Sequence, residues 1–174
     1  SVVQFDALNW EDAVIKYDQW IHLNWPSPYT FGRWWLGEDR GLKANTNYSK
    51  QIKDLKNFFD KSKANMNIEN SMNLKSNAMK TVLNGETTVY LYADDEKEIV
   101  DGVTFLKSFG IDKIVIVGAT ESKNQLNFIK LNNIPVVVKQ PYRFPQSVDS
   151  DPMETFAIAK KMLEIRNKDE SEID

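Results

Sequence analysis

The sequence predicts an α/β fold, a mostly parallel sheet of about five strands with flanking helices. Three observations carry this. Strand-like and helix-like segments alternate from Thr87 onward. The segments Ile114-Val115-Ile116-Val117 and Pro135-Val136-Val137-Val138 are apolar at consecutive positions, as in parallel strands covered on both faces. The connections between them are short, so the crossovers should be right-handed. A chain of 174 residues suits one domain, residues 1–174, which at this size buries roughly 70% of its unfolded surface. The expectation is three layers, with helices on both faces of the sheet.

Taken in order, Val2-Val3-Gln4-Phe5 opens a strand over about 2–6. Asn9 can cap a helix starting at Trp10, in which Ala13, Val14 and Tyr17 follow helical spacing. Trp20-Ile21-His22-Leu23-Asn24-Trp25 alternates like a strand and stops at Pro26. Residues 26–47 hold prolines, glycines and aromatics and read as a long aromatic-rich excursion. Ser49 can cap a helix with Ile52, Leu55 and Phe59 on one face. A second helix is predicted over about 71–84, with Gly85 as its left-handed stop. The Asn-rich residues 65–73 between the two look loop-like.

Thr88-Val89-Tyr90-Leu91-Tyr92 is the next strand. Asp95 with Glu98 fits a capping box, and Ile99, Val103, Leu106 and Phe109 mark the buried face of the helix that follows. Gly110 ends it. After the strand at 113–117, Ser122 with Gln125 caps a helix containing Leu126 and Ile129, which leads to the strand at 135–138. Asp151-Pro152-Met153-Glu154 is a further helix start. Residues 167–174 form an acidic, solvated tail.

Composition narrows the chemistry. Lys plus Arg number 22 against 25 Asp plus Glu, a net charge of −3, which argues against a nucleic-acid partner. No apolar run approaches the ~18 residues of a membrane span, and the opening lacks the pattern of a signal peptide. Abundant asparagine, and lysine in excess of arginine, fit an AT-rich bacterial genome, with a cytoplasmic or periplasmic location. There is no cysteine and a single histidine, His22. A thiolate metal site is excluded, and a histidine-rich zinc site or a serine–histidine triad has almost nothing to work with.

Ligands of parallel α/β proteins gather at the carboxyl ends of strands. Here those ends hold Asp94, Asp95, Gly118, Glu121 and Lys139. Asp94, Asp95 and Glu121 could bind a cation through oxygen. The plainer expectation is that they serve helix starts, accepting backbone N–H bonds, because carboxylates favour helix N-termini. Gly118 permits a tight turn, but no G-x-G-x-x-G pattern follows it. His22 could be a ligand or general base; the plainer reading is a partly buried imidazole bonded to backbone. Trp34 and Trp35 stand in the excursion and are candidates for an interface.

The order of segments resembles the middle of an imidazolonepropionase-like amidohydrolase. The resemblance runs through Val2-Val3-Gln4-Phe5-Asp6, Ile21-His22-Leu23-Asn24-Trp25-Pro26 and Leu55-Lys56-Asn57-Phe58-Phe59-Asp60. It is best at Val89-Tyr90-Leu91-Tyr92-Ala93-Asp94-Asp95, and continues through Ile114-Val115-Ile116-Val117-Gly118-Ala119 and Asn133-Ile134-Pro135-Val136-Val137. It implies part of a metal-dependent (β/α)8 barrel that hydrolyses C–N bonds of cyclic amides, with zinc in the parent family. The family's H-x-H precedes the matched region and its late aspartate follows it. Tyr92 and Gly118 stand where the resemblance implies histidine ligands, and neither side chain replaces imidazole on zinc at neutral pH.

The resemblance therefore implies a barrel segment with no metal and no catalysis as this chain. The intact parent would be a hydrolase if the outlying ligands exist. About five strands cannot close an eight-stranded barrel, and open edges must be covered. A homo-oligomer, or the remainder of a barrel, is the expected partner. Two other readings stand beside this one: a small-molecule-binding α/β module using Asp94, Gly118 and Lys139, and a structural or oligomerisation domain using the tryptophan-rich excursion.

Overall fold

The computed structural model of the chain describes residues 2–3, 9–16, 20–32, 36–37, 41–66, 74–139 and 160–164. In chain order the elements are β1 (Val2–Val3), α1 (Trp10–Ala13), β2 (Val14–Lys16), β3 (Trp20–Asn24), β4 (Tyr29–Phe31), β5 (Leu42–Ala44), α2 (Tyr48–Ala64), α3 (Leu74–Leu83), β6 (Thr88–Ala93), α4 (Glu96–Ser108), β7 (Ile114–Gly118), α5 (Leu126–Leu131) and β8 (Val136–Val137). Residues 160–164 are helical.

The principal sheet has the order β3-β6-β7-β8, and every neighbouring pair is parallel. Four of the expected strands are thus in one parallel sheet. Its register aligns Leu23 with Leu91, Leu91 with Ile116, and Ile116 with Val136. Side chains alternate across a strand, so this row and the row of Ile21, Val89 and Ile114 share one face. That face packs on helices. Leu91, Ile99, Val103, Leu106, Ile111 and Ile116 have no solvent exposure. Phe59 of α2, Met79 and Val82 of α3, and Ile129 of α5 join the same core, with Met162 against its margin.

The expected third layer is absent among the described residues. The other face carries His22, Tyr90 and Val115 in one row, and Asn24, Tyr92, Val117 and Val137 in the next. No described helix contributes to it. Among the described residues the fold is two-layered; on this second face Trp20 is 37% and Val137 47% exposed, whereas Val117 is 6% exposed.

Aromatic rings fill the space between α2 and α4. Phe59, Phe105 and Phe109 stand with centroids 5.1 Å apart in each pair, and Trp25 meets Phe105 at 5.4 Å. Gly102 lets α4 lie close to the sheet: a Cβ there would come within 2.8 Å of Leu91 Cδ2. Glycine costs up to about 1 kcal/mol in a helix, and here the close approach gives it a packing reason.

Three local expectations are corrected. The segment after Trp10 makes one helical turn, capped as expected by Asn9 Oδ1 accepting from Asp12 N at 2.9 Å. It then turns into β2, which pairs antiparallel with β1 in a separate ribbon. The β-branched Val14 and Ile15 favour that extended backbone. The second correction concerns α2, which begins at Tyr48 after Asn47 and not at a Ser49 cap. Asn45 prepares that start by accepting from Asn47 N at 3.0 Å in an Asx turn. Third, the excursion at 26–47 is partly regular, since β4 and β5 pair as an antiparallel ribbon with Phe31 opposite Leu42.

Trp34, Trp35, the rest of the predicted 2–6 strand, most of the Asn-rich linker, the helix start at 151–154 and the acidic tail lie outside the described residues.

Candidate ligand site at the strand ends

At the end of β6 the backbone leaves the sheet and enters α4 through a complete capping box. Lys97 N donates to Asp95 Oδ1 at 2.8 Å. Glu98 Oε2 reaches back to accept from Asp95 N at 3.4 Å and from Asp94 N at 3.0 Å. Asp95 and Glu98 thus satisfy donors that the first helical turn cannot.

Asp94 has a different task. Its Oδ1 accepts from Thr120 Oγ1 at 3.3 Å, and its carbonyl accepts from Glu121 N at 3.0 Å. It ties the end of β6 to the loop after β7. The expectation that its carboxylate accepts a helix N–H gives way to this cross-strand bond. Glu121 is likewise not in a first helical turn, since α5 begins at Leu126. The Ser122–Gln125 cap is also corrected: no side chain caps α5, and Ser122 Oγ is buried with no hydrogen-bond partner.

Gly118 is required twice over. Its φ is +115°, and a Cβ at this position would overlap Asp94 Oδ1. Any side chain there must displace the Asp94 carboxylate and adopt a backbone conformation that L residues rarely tolerate. Asp95 and Glu121 line one shallow cleft of about 440 Å³, with Tyr29, Lys97, Asp101 and Gln125 among its other walls. Lys139 does not line it.

Lys139 belongs instead to a cluster on the second face of the sheet, whose members no sequence pattern brings together. Tyr92 Oη and His22 Nδ1 are 3.0 Å apart. The His22 ring lies between Tyr90 and Tyr92, with centroids at 5.5 and 5.6 Å. Trp20 meets Tyr90 at 6.0 Å, and Lys139 Nζ stands 4.5 Å from the centre of the Tyr92 ring. The plain expectation for His22, a partly buried imidazole bonded to backbone, is overturned: it is exposed and bonded to a phenol. Alternation along Trp20-Ile21-His22 places His22 opposite the core. Its pairing with Tyr90 and Tyr92 needed the β3–β6 register.

A third polar group sits behind the sheet. Tyr48 Oη donates to Asp101 Oδ2 at 2.7 Å and accepts from Trp25 Nε1 at 3.2 Å. Lys97 Nζ donates to the same Asp101 oxygen at 2.6 Å. Burial, with the Asp101 carboxylate beside it, pushes the Tyr48 phenol up to about 12. This network pins α2 to α4 and to the end of β3. All its groups find partners, as a structural network does.

The described residues do not fit a zinc ion. Among them no three of His, Cys, Asp and Glu converge on a point that could hold a metal. At the two positions singled out by the resemblance, Tyr92 is engaged with His22, and Gly118 offers no donor and has no room for one.

No family model and no curated protein matches the chain. Among solved structures it is similar to an amidohydrolase from Thermotoga maritima MSB8, with a TM-score of 0.66 at 16% sequence identity. The match covers 93% of this chain and 43% of the amidohydrolase, so the chain spans less than half of that protein's length. The likeness shows an amidohydrolase-like fold. Among the described residues no helix is long and apolar enough to cross a membrane.

Proposed function

We propose that this chain is a segment of an amidohydrolase-like barrel, derived from a bacterial hydrolase of cyclic amides, that carries out no hydrolysis itself. The observation that carries this reading is the chemistry of two neighbouring strand ends. In a metal-dependent hydrolase such ends supply imidazole or carboxylate ligands that activate water. Here they supply a tyrosine hydrogen-bonded to the sole histidine and a glycine crowded by Asp94.

In an intact parent, catalysis would have to come from an upstream H-x-H and a downstream aspartate outside this chain. Two edges of the parallel sheet, at β3 and β8, have no further strand among the described residues. On this reading they are covered by the remainder of a barrel or by a second copy.

The test is metal content and turnover together. The protein, dialysed and then incubated with zinc, should retain well under one equivalent of metal and should hydrolyse no cyclic amide. Stoichiometric zinc, with cyclic-amide turnover that a chelator abolishes, would reject the proposal.

A further inference from the structure

We propose that the β4–β5 ribbon is a self-association surface: its apolar face stacks on the same face of a second copy of this chain, giving a twofold dimer that dissociates at micromolar concentration. Such a dimer is independent of whether the chain hydrolyses anything.

The pairing makes the ribbon amphipathic. Tyr29 pairs with Ala44, Thr30 with Lys43 and Phe31 with Leu42. Residues directly opposite in an antiparallel pair share a face, and the faces alternate along each strand. Tyr29, Phe31, Leu42 and Ala44 therefore form one face, and Thr30 and Lys43 the other. All six residues are exposed. No other described strand pairs with the ribbon. A two-stranded ribbon by itself is marginal in water, and an apolar face on it stays unfavourable until something covers it.

The exposed area sets the strength of the contact. Phe31 is 67%, Leu42 66% and Tyr29 46% exposed. Side chains of this size leave on the order of 350 Å² of apolar surface in water, within the range of patches that mark interaction sites. Stacked on itself, the face buries about 700 Å², and with its polar flanks approaches the ~1,200 Å² at the low end of specific interfaces. That is the size of a reversible contact and falls short of an obligate one.

The distribution of charge favours a second copy as the occupant. A twofold contact lays a patch on itself, so a charged group near the axis meets its like. This face has none: the Tyr29 hydroxyl is its one polar side-chain group, and Lys43 is on the opposite face. A foreign partner is specified by charges or hydrogen-bonding groups placed for it, and this face offers little of either. Asp95, Glu96, Asp101 and Glu121 lie beyond Tyr29, around the cleft it borders. With a net charge of −3, these carboxylates oppose the approach of two copies. Salt screens that repulsion and should tighten the dimer.

The experiment is sedimentation equilibrium of the full 174-residue chain from about 1 to 500 μM, at low and at high sodium chloride. The expected result is a monomer–dimer equilibrium with a micromolar dissociation constant that tightens with salt. Phe31→Glu places a carboxylate in the contact and should weaken association at least about tenfold. Thr30→Glu adds the same charge one residue away on the other face and should change it less than about threefold. Leu42→Gln removes apolar surface without adding charge and should weaken association as Phe31→Glu does, which gives a second reading if the charged variant fails to fold. A monomer at every concentration overturns the proposal, as does a mass that grows beyond the dimer. Association that survives both Phe31→Glu and Leu42→Gln, that Thr30→Glu weakens equally, or that salt loosens overturns it too.

Discussion

The two faces of the parallel sheet are built from the same four strands and have opposite characters. One face presents Val89, Leu91, Ile114 and Ile116 to helices and is sealed from water. The other, one residue out of phase, carries Trp20, His22, Tyr90 and Tyr92, of which the first two are exposed and the tyrosines half-buried. The difference separates two kinds of selection on a strand. A covered face needs shape and apolar area, and polar groups there would lose hydration without compensation. A partly exposed face tolerates hydrogen-bonding rings, because water can satisfy what they leave unpaired. In this molecule the polar aromatic cluster is on the second face, whereas Asp94 and Asp95 at the strand ends are occupied in holding a loop and a helix start.

The sharpest way to break the comparison is to damage the covered face. Leu91 is fully buried against Gly102 and the α4 residues around it. Leu91→Ala should destabilise the protein by about 2–5 kcal/mol, the range for deleting a large core side chain where the surroundings relax only partly. Urea denaturation gives the value directly. A loss below about 1 kcal/mol would mean that this core is far looser than its packing indicates.

Asp95 lies at the boundary between the two faces and sharpens the assignment of the acidic residues. Asp95→Ala removes the acceptor for Lys97 N and one half of the capping box. It should cost about 0.5–2 kcal/mol, the usual range for a lost cap. A variant of unchanged stability would show that the capping bond from Lys97 N is dispensable.

The parts of the fold that could be read from sequence are those with local causes. Apolar runs placed the strands at 88–93, 113–117 and 135–138, alternation placed 20–25, and Asp95 with Glu98 located the start of α4 to the residue. That no described helix lies on the second face has a different origin. Val115 and Val117 make β7 apolar on both sides, and an apolar strand face reads the same whether a helix or another part of a sheet covers it. The His22 cluster was hidden for a related reason. His22 and Tyr92 are 70 positions apart, and only the β3–β6 register reveals that they meet. Asp94 was misassigned because proximity to a helix start in sequence does not show that its side chain turns toward Thr120.

The smallest effect is the one that tests the second face most directly. His22 makes a hydrogen bond to Tyr92 and touches two rings, but it does so at the surface, where water competes for the same bond. His22→Gln keeps a polar side chain at this position and leaves Ile21 and Leu23 facing the core. Its effect on stability should therefore stay within about 0.5 kcal/mol, as for surface substitutions generally. A stability loss comparable to that of Leu91→Ala would place His22 in a buried structural role and erase the distinction between the faces. A change within that limit, beside the large loss in Leu91→Ala, would separate the residues that hold this sheet together from those on its second face.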